Sequence, residues 1–306
     1  MTPKINWKRL LKRLCLIVLG LLFLLLFVVA PLFLSAVVVN RRYQFPDPLI
    51  RKTPADFGMQ YEEVIFSSPP DIRLQGWYLP GTTSRTAVIF CHGLNRSRVE
   101  MLPQAQFVHS LGLSGLLFDL RHHGRSSGNK STFGAREKDD VLAAVAWMRD
   151  KQPHSKIILW GISMGAAAVM LAAAEDSRID GVICDSTYTS FNETVDHHFR
   201  LFFRLPSWPI ANEIRALIQW RGGFRGEEID IREATRRLGI RPVMFVAQSS
   251  DRRMPADYAR ELFSLSTSPY KQLLILDGRR HGHAYRDHPA EYQQVVLEFL
   301  KSAGLL

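Results

Sequence analysis

A serine flanked by small residues, GISMG at 161–165, stands between a short apolar run, KIILW at 156–160, and a helix-forming stretch, GAAAVMLAAA at 165–174. A chain that turns sharply from strand to helix strains the residue at the turn, so its neighbours must be small. Gly161, Gly165 and Ala166 meet that need. Such a turn presents the Ser163 hydroxyl at the carboxyl end of a sheet, above a helix N-terminus that favours negative charge. Serine is a weak nucleophile until a base takes its proton, and the base needs an acid to orient it. On this turn, acid and histidine are expected after the serine in chain order. Asp251, in QSSDRRMP, and His281, in RRHGHAY, each follow a short apolar run. Both therefore fall at carboxyl ends of predicted strands, where the loops of an open α/β sheet gather around a ligand. Asp185 for the acid and His283 for the base stand as alternatives. Two backbone N–H groups are expected to hold an oxyanion: that of Met164, next to the serine, and that of Leu94 in CHGL at 91–94. Gly93 lets that backbone come close to a substrate.

Elements able to hold these residues surround them. Residues 63–66 and 74–79 read as a hairpin about the turn SSPPD at 67–71. Apolar runs at 86–91, 115–119, 156–160, 181–184, 242–247 and 272–276 suit buried strands. Helical patterns lie between them at 102–111, 135–150, 164–174, 256–265 and 290–302. Strands alternating with helices imply βαβ units, so the predicted class is α/β, a mostly parallel central sheet flanked by helices on both faces. Residues 187–237 form a long connection between core strands, predicted to be a helical cap. Its Phe202, Phe203, Trp208 and Trp220 alternate with Arg200, Arg204, Arg215 and Arg221. The aromatics either cover the core or lie at headgroup depth, with the arginines on anionic lipid. Gly222, Gly223 and Gly226 are candidate hinges for the cap.

The 306 residues are 46% hydrophobic and 22% charged, which excludes wholesale disorder and collagen-like repeats. Cys15, Cys91 and Cys184 show no C-x-x-C spacing, which argues against a zinc ribbon or a disulfide scaffold. The pairs His122–His123 and His197–His198 lack metal-ligand spacing and read as surface or loop residues. No metal and no organic cofactor is expected. The net charge of +10 invites a nucleic-acid reading, but Lys4, Lys8, Arg9, Lys12 and Arg13 supply half of it. In the rest of the chain basic residues alternate with acids, as on a solvated helix face, so no nucleic-acid partner is expected.

Residues 14–39 contain no charge. As a helix they span about 39 Å, more than the ~30 Å hydrocarbon core requires, so tilt or a kink near Pro31 must take up the excess. The stretch is too long for a cleaved signal peptide. The organisation expected is a basic flank at 1–13, a transmembrane anchor at 14–39, a linker at 40–59 and a catalytic domain at 60–306 with its cap at 187–237. Five basic residues precede the anchor; Arg41, Arg42, Arg51 and Lys52 follow it. That balance favours a catalytic domain on the exported side.

Taken together, these residues resemble the α/β-hydrolase superfamily, in its membrane-anchored ABHD-like, serine aminopeptidase-like branch. The likeness rests on LQGWYLP at 74–80, FCHG at 90–93, DLRHHGRS at 119–126, GISMG, CDSTY at 184–188, SSDRRMP at 249–255 and HGHAYRDHPAEY at 281–292. It implies that His281 rather than His283 is the base and that Asp251 rather than Asp185 is the acid. It also implies a serine hydrolase; the tethered domain and the apolar, basic cap suggest a small-molecule or lipid ester or thioester as substrate, with the bilayer as partner. A serine peptidase of the aminopeptidase type, or an idle hydrolase fold used for binding, are the alternatives. Departures from the family pattern are His122 and Gln248, each where glycine is usual, and Pro70-Asp71 at a turn that is usually D-G.

Overall fold

The computed structural model of the protein describes residues 6–40, 47–83 and 85–306. Lys4, Arg41 and Arg42, used in the charge count above, lie outside them, as do positions 41–46 of the expected linker.

The chain opens with a long apolar helix: α1 (Trp7–Leu24) continues through a π-helical turn (Leu25–Val29) into α2 (Ala30–Asn40). Pro31 has no N–H to return to the preceding turn, and the hydrogen-bond ladder loosens just ahead of it. Among the described residues, Trp7–Asn40 is the one helix long and apolar enough to cross a membrane. Its residues are exposed as far as Leu26. Beyond that, Pro31, Ser35 and Val39 are buried, and their spacing of four puts them on one face.

The strands follow as β1 (Glu62–Ser68), β2 (Ile72–Leu79), β3 (Thr86–Cys91), then α3 (Leu102–Ser110), β4 (Ser114–Phe118), α4 (Glu137–Lys151), β5 (Lys156–Ile162), α5 (Met164–Glu175) and β6 (Gly181–Asp185). Three helices then intervene: α6 (Phe191–Phe203), α7 (Ile210–Gly222) and α8 (Ile231–Arg237). β7 (Val243–Gln248), α9 (Ala256–Leu265), β8 (Lys271–Leu276), α10 (Ala284–Asp287) and α11 (Pro289–Ser302) complete the chain. The eight strands form one sheet in the order β1-β2-β4-β3-β5-β6-β7-β8, with β2 antiparallel to both its neighbours and every pair from β4 to β8 parallel. This is the α/β class that the alternation predicts.

A strand covered on both faces must be apolar at every position, and β3, β4, β6 and β7 are buried throughout. Their side chains divide by pleat. Ala87, Ile89 and Cys91 enter the core that contains α4, α5 and α9, whereas Val88 and Phe90 enter the one that contains α3 and α11. Helix α5 is buried from Met164 to Ala173, which explains a composition with no polar face. In the β6–β7 connection, α8 packs beside α5 and α9 through Ile231 and Ala234 and so belongs to the helix layer. Helices α6 and α7 bury Phe191, Phe199, Ala211, Ile214 and Ile218 in the same core.

One buried ion pair joins three segments near the site. Arg121, just past β4, sets Nη2 2.7 Å from Asp140 Oδ1 in α4 and Nε 3.0 Å from Oδ2, and Nη2 also donates to Ser68 Oγ (3.1 Å) at the end of β1. Asp140 is fully buried. Asp140→Ala removes the close partner of the guanidinium, leaving only the Asp139 carboxylate at 4.0 Å, and is expected to lower stability by about 3 kcal/mol. Arg121→Met with Asp140→Leu is expected to recover most of that loss. Thermal unfolding in detergent measures both, and equal losses in the single and double variants would refute the buried-charge explanation.

Candidate active site

The turn between β5 and α5 admits nothing larger than glycine two residues before and two residues after its serine. A Cβ on Gly161 would lie 2.4 Å from the Gly165 carbonyl oxygen, and one on Gly165 would lie 2.3 Å from that of Cys91. Between them Ser163 takes φ 55°, ψ −117°, a conformation that L side chains rarely adopt. Its N–H donates to the Asp185 carbonyl (2.8 Å) and its carbonyl accepts from Ala167 N–H (3.1 Å). The strained residue is thus held from β6 and from within α5.

The structure brings Ser163, His281 and Asp251 together. His281 Nε2 lies 2.8 Å from Ser163 Oγ, and His281 Nδ1 lies 2.7 Å from Asp251 Oδ2. The other Asp251 oxygen accepts from the N–H groups of Arg253 (2.8 Å) and Met254 (3.1 Å). Burial pushes this carboxyl pKa up, but the His281 contact and the two N–H groups outweigh it, so the net shift is downward and Asp251 stays ionised. Its charge and the two filled oxygens fix the Nδ1–H tautomer of His281, which leaves Nε2 free to accept the serine proton.

Both residues ride on loops that are stitched to each other. Ser249 and Ser250 N–H groups donate to the carbonyls of Leu276 and Gly278 (2.8 and 2.9 Å). Gly278 has φ +151°, and a Cβ there would lie 2.1 Å from Gln248 Nε2. Gln248 is fully buried and donates Nε2–H to Asp287 Oδ2 (3.0 Å) in α10. This departure from the family pattern therefore occupies the space that the opposite glycine leaves.

The two alternatives fall elsewhere. The Asp185 carboxyl accepts from Ser186 Oγ (2.7 Å) and Tyr292 Oη (3.1 Å), away from His281, and burial raises its pKa to about 6. His283 lines a cavity beside the turn, its Nδ1 buried and unpartnered among the described residues. As for the oxyanion donors, Met164 N–H opens α5, and the Gly93–Leu94 segment lies against the serine, with a Gly93 Cβ placed 3.5 Å from Ser163 Cβ.

Several residues near the site carried no usable sequence signal. Glu100 accepts the Gly93 N–H (2.7 Å) and faces Arg96 (3.2 Å), so it braces the loop beside the serine. Burial raises its pKa to about 7 against the pull of those two partners. His198, on α6, is not a plain surface residue: its Nε2 is buried and unpartnered among the described residues, and its ring stacks on Phe202. Burial, with Arg253, His197 and His281 nearby, lowers its pKa to about 4. His122 and His123 lie in the loop after β4, as one of their two readings had it, and both are buried there. His123 Nε2 accepts the Asn95 N–H (3.1 Å), and His122 has φ 64°, the backbone that explains why glycine is usual there.

One cavity touches Ile162 and Gly282, next in sequence to Ser163 and His281, and a second touches Asp251. The first, of about 410 Å³, has apolar walls of Leu49, Phe57, Pro103, Ile162 and Tyr285, interrupted by Asp47, Arg96, Glu100, Gln104, His283 and Arg286. The other, about 780 Å³ and more open, lies between His197 and Leu201 of α6 and the Asp251 loop.

Comparison with known proteins agrees with this architecture. The family model for the alpha/beta hydrolase fold matches residues 86–209. The chain is 30% identical over 224 residues to Rv2307c of Mycobacterium tuberculosis, 72% of each chain. It is 23% identical over 258 residues to the membrane protein YNL320W of Saccharomyces cerevisiae, 83% of this chain and 84% of that one. The solved structure of the Pyrococcus furiosus esterase Pf2001 superposes with a TM-score of 0.71 at 26% identity, covering 86% of this chain and 98% of the esterase.

The position of Glu100 has a consequence for pH. Its pKa is about 7 in the fold against an ordinary 4.5, so the folded chain holds this proton more tightly than the unfolded chain. Stability is then expected to fall as pH rises between those two values, by up to about 1.4 kcal/mol per unit, and to flatten above pH 7. Glu100→Gln keeps an acceptor for the Gly93 N–H and should remove Glu100's share of the slope, leaving those of Asp185 and His198 in place. Melting temperatures from mildly acidic to mildly alkaline buffer compare the two proteins, and parallel curves would reject the assignment.

Proposed function

The chain belongs to the α/β-hydrolase superfamily and is a hydrolase, and on that premise we propose that it is a membrane-anchored serine hydrolase of carboxylic esters or thioesters. The observation that carries this reading is the unbroken relay from Asp251 through His281 to Ser163, with links of 2.7 and 2.8 Å.

Each residue has a role that follows from its position. Ser163 Oγ attacks the substrate carbonyl carbon while His281 Nε2 takes its proton. The positive imidazole that results is stabilised by the ionised Asp251. The carbonyl electrons move onto oxygen, where the N–H groups of Leu94 and Met164 receive the negative charge. As the tetrahedral centre collapses, the bond to the leaving group breaks and His281 returns the proton to that alcohol or thiol. Water then enters, gives its proton to His281, and hydrolyses the acyl-enzyme by the same path. No step calls for a metal or an organic cofactor.

The apolar walls of the smaller cavity and its size, about 410 Å³, suit an acyl chain. The Trp7–Asn40 helix, by length and hydropathy, supports an anchor that keeps the domain at a bilayer. The basic flank ahead of it favours a catalytic domain on the exported side.

Ser163→Ala and His281→Ala are expected to abolish labelling of the membrane-bound protein by a fluorophosphonate probe. Asp251→Asn should lower kcat on a short acyl ester by about 10³–10⁴-fold through the wrong imidazole tautomer. Full labelling of the Ser163→Ala protein would sink the proposal.

A further inference from the structure

The upper part of the anchor is a tertiary element. Helix α7 packs along both α2 and the π-helical turn at Leu25–Val29. Its Arg221 Nε donates to the buried Ser35 Oγ (3.1 Å), and the Ser131 N–H donates to the Val39 carbonyl (2.9 Å). The far end of the anchor is therefore tied to the soluble domain, so the height of the domain above a bilayer is set by where the bilayer lies along the helix.

That height can be counted. A hydrocarbon core of ~30 Å takes up about 20 helical residues. Counted from Leu14, the first residue after Arg13, it ends near residue 33. If Lys12 and Arg13 snorkel and the count starts one turn earlier, it ends near residue 29. Either way the π turn lies within apolar depth, and α7 touches the π turn. Arg221, near the end of α7, sits level with Ser35. The contact with Leu25–Val29 must then come from the beginning of α7, so the α6–α7 connection points down the anchor toward the bilayer.

The side chains on that end fit this depth. Phe202 (63% exposed), Phe203 (47%), Leu205 (48%) and Trp208 (74%) crowd the end of α6 and the connection, and Trp220 (73%) sits beside Arg221 at the level of Ser35. Large apolar groups cluster in this way on surfaces that meet lipid. Arg200 and Arg204, both exposed at the end of α6, bring positive charge to the same end for anionic headgroups. Helix α6 also reaches the site, because Leu201 and His197 line the larger cavity beside Asp251 and His198 stacks on Phe202.

We propose that the α6–α7 tip is inserted in the leaflet from which the anchor emerges, so that the larger cavity opens at an anionic bilayer surface and takes its ester from the membrane. This rests on reading α1–α2 as a transmembrane anchor. It adds that the anchor sets the depth of the cap as well as its address.

Site-directed spin labelling of the full chain in phosphatidylcholine–phosphatidylglycerol vesicles separates the two readings. In a Cys15→Ser background the remaining cysteines are fully buried, and a label is placed at Trp208→Cys or at Phe23→Cys. Collisions with oxygen should dominate over those with a water-soluble nickel complex at both positions. Nickel dominance at 208 with oxygen dominance at 23 overturns the inserted tip and leaves the anchor standing; nickel dominance at 23 overturns the anchor itself. In a second measurement, Phe203→Ser, Leu205→Ser and Trp208→Ser are combined. Hydrolysis of a long-chain ester in those vesicles is expected to fall by about tenfold, with a short soluble ester unchanged within about twofold, as when interfacial anchors are lost. Retained fluorophosphonate labelling certifies the fold, and equal rates on the vesicle ester for wild type and triple variant would overturn the proposal.

Discussion

The contact on which the site depends is one between backbones. Helix α5 starts so close to the ends of β3 and β5 that a methyl group on Gly161 or Gly165 would overlap a carbonyl oxygen. That proximity forces Ser163 to positive φ and lifts its hydroxyl out of the sheet. A strained residue persists only where its surroundings over-determine it. Here the Asp185 carbonyl holds the Ser163 N–H, and the wholly buried, alanine-rich α5 is wedged between sheet and helix layer. The composition of α5 follows from the same demand, since larger side chains would push the helix off the strand ends and relax the turn.

Around that fixed point the polar groups are ordered by shared hydrogen bonds more than by charge. Asp251 has both oxygens filled before any substrate arrives, and the loops that carry Asp251 and His281 hold each other through Ser249, Ser250 and Gln248. The Gly93 loop is held by Glu100, and the neighbouring turn by His123. Preorganisation of this kind places donors and acceptors before reaction, so little reorganisation is left to the chemical step.

The apolar helix shows a different constraint. A helix that is hydrophobic on every side has no face that advertises a neighbour, yet Pro31, Ser35 and Val39 are buried. The π turn ahead of Pro31 and the bond from Arg221 to Ser35 mark where the helix passes from an isolated rod to a packed element. The same helix is thus exposed along its first part and packed along its second, against α7 and the Ser131 segment.

The strands and helices of the sheet layers were legible because their signals are local. A strand buried on both faces is apolar without a break, and a helix repeats every 3.6 residues, so 86–91, 181–184 and 256–265 stand out in a single chain. The serine turn was legible because its steric demand falls on adjacent residues. Chain order and strand ends singled out Asp251 and His281, although Asp185 and His283 met the same local criteria. Only the direction of β6 and the reach of Tyr292 and Ser186 separate the two acids. Glu100, His198, the buried His122–His123 pair and the docked half of the anchor were invisible for one reason. Burial, and the pKa shifts that follow from it, depend on what distant segments place beside a side chain. The amino-acid sequence by itself determined the layers and the strained serine, which arise from short-range sterics and periodicity. The tertiary structure alone decided which carboxylate meets the histidine, which imidazoles lose water and where the anchor stops being a free helix, because those are contacts between segments 30 to 186 residues apart.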